Sequence, residues 1–246
     1  KILEYIKDMR TVGIINEDRK IGIVEIAAPM GVIVGILPTT NPTSTAIYKS
    51  IIAVKSRNAI VFSPHPAASK CTTEAIRLMH DAAVEAGAPI NIISGITTPS
   101  MEATNELMKH KDVALIIATG GPGMVKAAYS SGKPALGVGA GNSPAYIEKT
   151  ANVEKAVKDI IASKTFDNGT ICASEQSVIV EECNRDQVIA EFKKHNCYFM
   201  TEDETKKVCQ VLFKNGHAMN AKFVGRAPQV IADAAGISIP EGTKIL

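Results

Sequence analysis

From residue 31 onward, short runs of apolar, β-branched residues alternate with longer stretches whose apolar positions recur every three or four residues. Residues 31–37 (GVIVGIL) read as a buried strand that stops at Pro38. Residues 44–56 read as a helix, with Thr43 or Ser44 as N-cap and Ile47, Ile51 and Val54 on one face. Further strand patterns fall at 59–62, 90–93, 113–118 and 135–139, separated by helical patterns at 69–86, 99–110 and 124–131. In the 69–86 helix, Cys71, Ala75, Met79, Ala82 and Ala86 keep helical spacing, and Gly87 is placed to end it. An amphipathic helix covers 153–164.

Strands alternating with helices predict an α/β fold, a parallel sheet with helices on both faces. The strands are nearly all apolar rather than alternating, as doubly covered strands are. After Cys172 the texture changes to a strand at 176–180, charged helices at 185–195 and 203–213, and a short helix at 228–235. A domain boundary is expected near Thr165, giving units of 1–164 and 165–246, the second incomplete.

A hydrophobic content of 46% supports a sizeable core. The net charge of +2, with both signs interspersed, gives no electrostatic case for nucleic acid or a membrane surface. The five cysteines are odd in number and lack a CxxC pair, which fits free thiols in a reducing cytoplasm rather than disulfides or zinc. No His/Cys/Asp set has metal-ligand spacing, so no metal site is expected.

Two loops and one thiol carry the candidate chemistry. The loop at 119–123 (TGGPG) joins a strand to a helix. Its glycines permit close approach to a phosphate at a helix N-terminus, and Pro122 suits a first helical turn. It matches neither GxGxxG nor the GxxxxGK[ST] loop, so a plain tight turn stands beside phosphate binding as a reading. The loop at 38–43 (PTTNPT) lies at the same strand edge. There Asn41 is either a turn initiator or a side-chain donor to an oxyanion. Cys172, in FDNGTICA (166–173), lies at a helix-to-strand junction where a thiol can meet a substrate. Cys71 reads as a small hydrophobe on an apolar helix face, and Cys183, Cys197 and Cys209 lack a glycine-rich setting. His65, between two prolines, reads as a solvated loop histidine or a phosphate contact.

The segments PTTNPTSTAIYKS (38–50), NAIVFSPHP (58–66), ATGGPGMVKAAYSSGKPALGVGAGNSP (118–144) and SKTFDNGTICASEQSVIV (163–180) together resemble the aldehyde dehydrogenase superfamily. Within it the chain is similar to the CoA-acylating branch, in particular the acetaldehyde dehydrogenase part of bifunctional aldehyde–alcohol dehydrogenases. The resemblance implies a Rossmann-like NAD-binding domain over 1–164 and the start of an α/β catalytic domain over 165–246. It implies Cys172 as nucleophile and Asn41 in the oxyanion hole. It also implies cofactor contacts from Gly120, Gly121, Gly123 and Gly139, with Thr39 and Thr40 on the nicotinamide side. Ser63 falls where hydrolytic members carry a ribose-binding lysine.

One departure sets the expected chemistry. Hydrolytic relatives carry a glutamate where this chain has Val138. A general base contributes about 10²–10⁴-fold to rate, so its loss disfavours water and lets the thiol of coenzyme A, the co-substrate, remove the acyl group. The expected activity is NAD-dependent interconversion of acetaldehyde and acetyl-CoA in the cytoplasm, by a homo-oligomer or filament, with an iron-dependent alcohol dehydrogenase domain downstream. The alternatives are a stand-alone enzyme in the lumen of a bacterial microcompartment acting on propionaldehyde or acetaldehyde, or a filament-assembly module with a vestigial nucleotide site.

Overall fold

The computed structural model describes residues 2–139, 141–214 and 218–246. They divide into two compact units, Lys1–Ala140 and Gly141–Leu246.

In the first unit, a short helix α1 (Ile2–Ile6) precedes an antiparallel ribbon of β1 (Gly13–Asp18) and β2 (Ile23–Ala27). Then follow β3 (Val32–Ile36), α2 (Pro42–Lys55), β4 (Ala59–Ser63), α3 (Ser69–Glu85), β5 (Ile93–Gly95), α4 (Met101–Lys109), β6 (Val113–Thr119), α5 (Pro122–Tyr129) and β7 (Ala135–Val138). The strands β3 to β7 form one parallel sheet in the order β5-β4-β3-β6-β7. The chain winds outward from β3 through β4 to β5, then crosses back to lay β6 on the other side of β3. In open α/β sheets, ligands bind at such a reversal, beyond the strands' C-terminal ends.

Both faces of this sheet are covered, as the apolar runs predict. Ile33, Ile60, Phe62 and Ile93 pack with Ala46, Ala53, Ala75 and Ile76 of α2 and α3. Val34, Ile36, Ile116 and Ala118 pack with Met108 and Ala128 of α4 and α5. Packing accounts for Gly35, because a Cβ there would lie 2.6 Å from the Phe62 ring. Buried Asn58 sets the approach to β3, its Oδ1 accepting from the N–H groups of Met30 and Gly31 at 2.6 and 2.9 Å.

Three local expectations are corrected. Helix α2 starts at Pro42 with Asn41 as N-cap, and its buried residues are Thr45, Ala46, Lys49, Ser50 and Ala53; of Ile47, Ile51 and Val54, only Val54 packs against the core, half-buried. Small residues at the buried positions let the helix lie close to the sheet and leave Ile47 exposed. The strand expected at 90–93 begins only at Ile93, because Asn91 turns the chain with φ 64°. Cys71 is exposed, with its thiol donating to the Ala68 carbonyl; α3 buries Thr72, Ala75 and Ile76 instead.

The second unit contains β8 (Pro144–Ile147), α6 (Val153–Thr165), β9 (Ser177–Val180), α7 (Arg185–Lys194), α8 (Glu202–Leu212), the short pair β10 (Phe213–Lys214) and β11 (Ala218–Met219), and α9 (Pro228–Ala235). Strands β8 and β9 pair in parallel. Ile147, Val153, Val157, Ile161, Val188 and Phe192 form its main core, and Val208, Ala232 and Ile237 a second cluster. The expected boundary at 164/165 falls inside this unit, because α6 packs on α7 and β8 pairs with β9. Strand β8 escapes sequence reasoning: it has four residues, begins with proline, and finds its partner only after α6.

Candidate active-site elements

The chain leaves β3 through buried Leu37 and Pro38 into exposed Thr39 and half-buried Thr40 and Asn41. Asn41 caps α2 through its backbone: its carbonyl accepts from the Thr45 N–H and from the hydroxyls of Ser44 and Thr45. Its side chain takes no part in the cap. Instead Oδ1 accepts from the Thr40 hydroxyl at 3.0 Å. That bond holds the amide plane and leaves Nδ2 a donor without a protein partner among the described residues. The side chain is thus not a cap of the turn, and its amide nitrogen is available to a ligand.

At the neighbouring strand end, β6 passes through Thr119 and Gly120 to Gly121, the N-cap of α5, with Pro122 in the first turn as predicted. The Gly120 N–H donates to the Val138 carbonyl at 3.1 Å, which ties this loop to the end of β7. None of Gly120, Gly121 and Gly123 has a positive φ. A Cβ at Gly121 or Gly123 would meet nothing within 4 Å. Neither backbone conformation nor internal packing requires glycine there, whereas close approach of a ligand would. The space beside these glycines lies at the N-terminus of α5, where the Gly121 and Gly123 N–H groups make no protein hydrogen bond among the described residues and the helix dipole favours an anion. Gly139 follows β7, half-buried, near a methyl of Val125. Val138, the last residue of β7, is 57% exposed.

Ser63 is placed differently from expectation. It is 3% exposed, and its hydroxyl is bonded to Thr104 Oγ1 at 2.7 Å. Thr104 in turn donates to the Ser100 carbonyl, so the Ser63 proton is committed to Thr104. Ser63 thus joins β4 to α4 rather than presenting a hydroxyl to a ribose. His65 is exposed, its Nδ1 accepting from the Ala67 N–H in the turn that follows β4.

Lys49 was missed by sequence reasoning. It is 1% exposed, and its Nζ donates to the carbonyls of Ile36 at 2.7 Å and Ile117 at 2.9 Å. Burial pushes its pKa down to about 7. The available signal was its spacing: Ala46, Lys49 and Ala53 share one helical stripe.

In the second unit, Cys172 is exposed on a turn closed by the Ser174 N–H donating to the Ile171 carbonyl. Ser174 is buried, and its hydroxyl donates to the same carbonyl at 3.0 Å. The lead-in is unusual, since Asp167, Asn168 and Gly169 all have left-handed φ, 52°, 48° and 70°. Aspartate and asparagine are, after glycine, the residues that adopt that conformation most readily. The segment is held from outside: Asn168 Nδ2 donates to the Gly225 carbonyl at 3.0 Å, and a Cβ on Gly225 would come within 2.6 Å of Thr170 Oγ1. Gly141 also lies against the turn, where a Cβ would be 3.2 Å from the Cys172 carbonyl. Exposure alone does not single out Cys172, because Cys71, Cys183 and Cys209 are exposed too. Cys172 is set apart by this clamped turn. Cys197 is buried, and burial pushes its thiol up.

Among the described residues, no group of three or more His, Cys, Asp or Glu is placed to hold a metal ion, and no helix is long and apolar enough to cross a membrane.

A doubly covered parallel sheet with a glycine-rich loop at its reversal is a dinucleotide-binding architecture. The chain belongs to the aldehyde dehydrogenase family, whose sequence model matches residues 2–218. It is 55% identical to the bifunctional aldehyde-alcohol dehydrogenase of Escherichia coli strain K12, in an alignment covering 99% of this chain and 28% of that protein. A solved acetylating aldehyde dehydrogenase from Geobacillus thermoglucosidasius superposes with a TM-score of 0.91 at 60% identity, covering 99% of this chain and 54% of that one. A propionaldehyde dehydrogenase from Rhodopseudomonas palustris, solved with bound propionyl-CoA, superposes at 0.80 and 37% identity, covering 89% of this chain and 48% of that one. The chain thus spans about a quarter of the Escherichia coli relative and about half of the two solved chains.

Proposed function

We propose that this sequence carries the nucleotide-binding and nucleophile-bearing parts of an NAD-dependent, CoA-acylating aldehyde dehydrogenase that interconverts acetaldehyde and acetyl-CoA. The observation that carries the reading is an exposed thiol on a clamped turn in a chain whose residue 138 is valine rather than a carboxylate.

The first unit is assigned the nucleotide. Gly120, Gly121 and Gly123 receive the pyrophosphate, with Gly139, Thr39 and Thr40 lining the approach. Bound there, the cofactor supplies the hydride acceptor. Cys172 thiolate adds to the aldehyde carbonyl, and its own N–H donates to the oxyanion; Asn41 Nδ2 is assigned the second donor on the family resemblance alone. Loss of hydride from that adduct leaves Cys172 as a thioester. With no base at 138 to activate water, the coenzyme A thiol takes the acyl group and Cys172 leaves as thiolate. Both thioesters are close in energy, so the step runs in either direction. The likeness to an acetylating Geobacillus enzyme and to a Rhodopseudomonas enzyme solved with propionyl-CoA supports acyl transfer to coenzyme A.

The likeness to a propionaldehyde dehydrogenase from a Clostridium phytofermentans bacterial microcompartment favours one second reading, a stand-alone microcompartment enzyme acting on propionaldehyde or acetaldehyde. The bifunctional Escherichia coli relative instead favours a protein with an alcohol dehydrogenase domain downstream. Assembly into an oligomer or filament is supported by the β1–β2 ribbon, one face of which exposes Ile14, Val24 and Ile26. A two-stranded ribbon is marginal alone, and such a face calls for a partner.

The deciding experiment measures NADH formation from acetaldehyde by the complete protein, with and without coenzyme A. Coenzyme-A-dependent turnover is expected. NADH formation that ignores coenzyme A and yields acetate would sink the acylating assignment. Substituting Val138→Glu should shift product from acyl-CoA toward acid; an unchanged ratio argues against base loss as the cause.

A further inference from the structure

Lys49 is a buried cation with no role in the chemistry above. It projects from α2 beneath the place where the sheet reverses direction. Its two hydrogen bonds go to Ile36, the last residue of β3, and Ile117, close to the end of β6. In the sheet these strands are neighbours, with Ile36 opposite Ala118 and Gly35 opposite Ile117. One amine therefore bridges the two strands that bound the crossover crevice. The loop at 37–41 begins one residue beyond the first acceptor, and the glycine loop begins three residues beyond the second.

A lysine is a costly way to fill a buried position. At 1% exposure its ammonium has lost nearly all its water, and among the described residues no carboxylate pairs with it. Methionine or leucine would fill a similar volume without that cost. What an apolar side chain cannot do is hold two carbonyls of different strands to one point. Replacing such a group by an apolar one of like size is often neutral or stabilising. A structural role confined to stability is thus a poor account of this residue.

We propose that Lys49 is a positioning residue for the nucleotide: by bridging the Ile36 and Ile117 carbonyls it sets the spacing of the 38–41 and 120–123 loops that receive the cofactor. This rests on the nucleotide site proposed above. It predicts that the two N–H donors, not the bulk or the charge, are what the site requires.

The test uses the complete protein and NADH titration by fluorescence, with the melting temperature and the separate KM values for NADH and coenzyme A. Wild-type protein must bind NADH saturably; failure there overturns the nucleotide reading itself. Lys49→Met keeps the bulk and removes the donors. It should melt no lower than wild type, bind NADH about tenfold more weakly, and raise KM for NADH while moving that for coenzyme A less than about twofold. Lys49→Gln restores two N–H donors without charge, and its NADH affinity should return to within about threefold of wild type. The proposal is overturned if Lys49→Met binds NADH like wild type, if both KM values rise together, or if Lys49→Gln is as weak as Lys49→Met. Should Lys49→Met not fold, Lys49→Gln decides alone: near-normal affinity supports the bridge, and a tenfold loss overturns it.

Discussion

The glycine loop of the first unit and the thiol turn of the second are built in opposite ways. Residues 120–123 follow a regular strand, use ordinary backbone conformations and leave open space beside Gly121 and Gly123. Residues 167–172 begin with three left-handed residues and are pinned by Asn168, Gly225 and buried Ser174. A loop that receives a ligand needs room and free donors, and a regular sheet edge provides both without strain. A nucleophile must be held at one point, and the turn bearing Cys172, the nucleophile proposed above, is held by residues remote in sequence.

That contrast can be broken experimentally. The largest effect should come from Cys172→Ala in the complete protein, which is expected to lower CoA-dependent aldehyde oxidation by at least about 10³-fold. NADH affinity should stay unchanged, and a loss of NADH binding would contradict the division of labour between the two loops. Asn41→Ala should lower kcat by about 10²–10³-fold with little change in melting temperature, since the side chain caps nothing in α2.

Lys49 makes stability depend on pH. Its folded pKa of about 7 lies below the 10.5 of an ordinary lysine. The unfolded chain therefore holds the proton more tightly, and stability rises from about pH 7 to about pH 10.5. The full cost of burying the charge is present below pH 7. It should amount to a few kcal/mol, seen as an advantage of Lys49→Met over wild type in denaturant melts at pH 6 that shrinks by pH 9. A constant difference across that range would contradict the titration.

Gly225→Ala should cost about 1–2 kcal/mol of stability, because alanine disfavours a φ of 70° and its Cβ would press on Thr170. It should also lower kcat while leaving NADH affinity intact, which separates the clamp from the nucleotide edge. The smallest effect is expected from Gly121→Ala. With open space at that position, melting should not change, but NADH should bind roughly fivefold more weakly, about 1 kcal/mol, because the methyl occupies the ligand's side. Normal binding would make this a turn and nothing more.

Much of the fold was legible in one dimension. Runs such as GVIVGIL and VALIIA announced strands buried on both faces, and Gly87 and Pro122 fall where they were read, after one helix and inside the first turn of another. The places that misled are instructive. Of the apolar positions Ile47, Ile51 and Val54, only Val54 packs against the core cluster, since the sheet takes the stripe of Ala46, Lys49 and Ala53 instead. Ile90 suggested a strand where Asn91 makes a turn. A ribose role for Ser63 followed from alignment with a lysine, whereas its hydroxyl is spent on Thr104.

Local pattern by itself determined the sheet class, the glycine loop at a strand end and the thiol outside any helix. These depend on periodicity and on backbone freedom within a few residues. Only the tertiary structure decided that Asn41 keeps its amide free, that Gly225 clamps a turn more than fifty residues earlier in the chain, and that a lysine lies beneath the crossover. Each of those turns on which distant carbonyl or hydroxyl a side chain meets, and chain order does not encode such meetings until the sheet has closed around them.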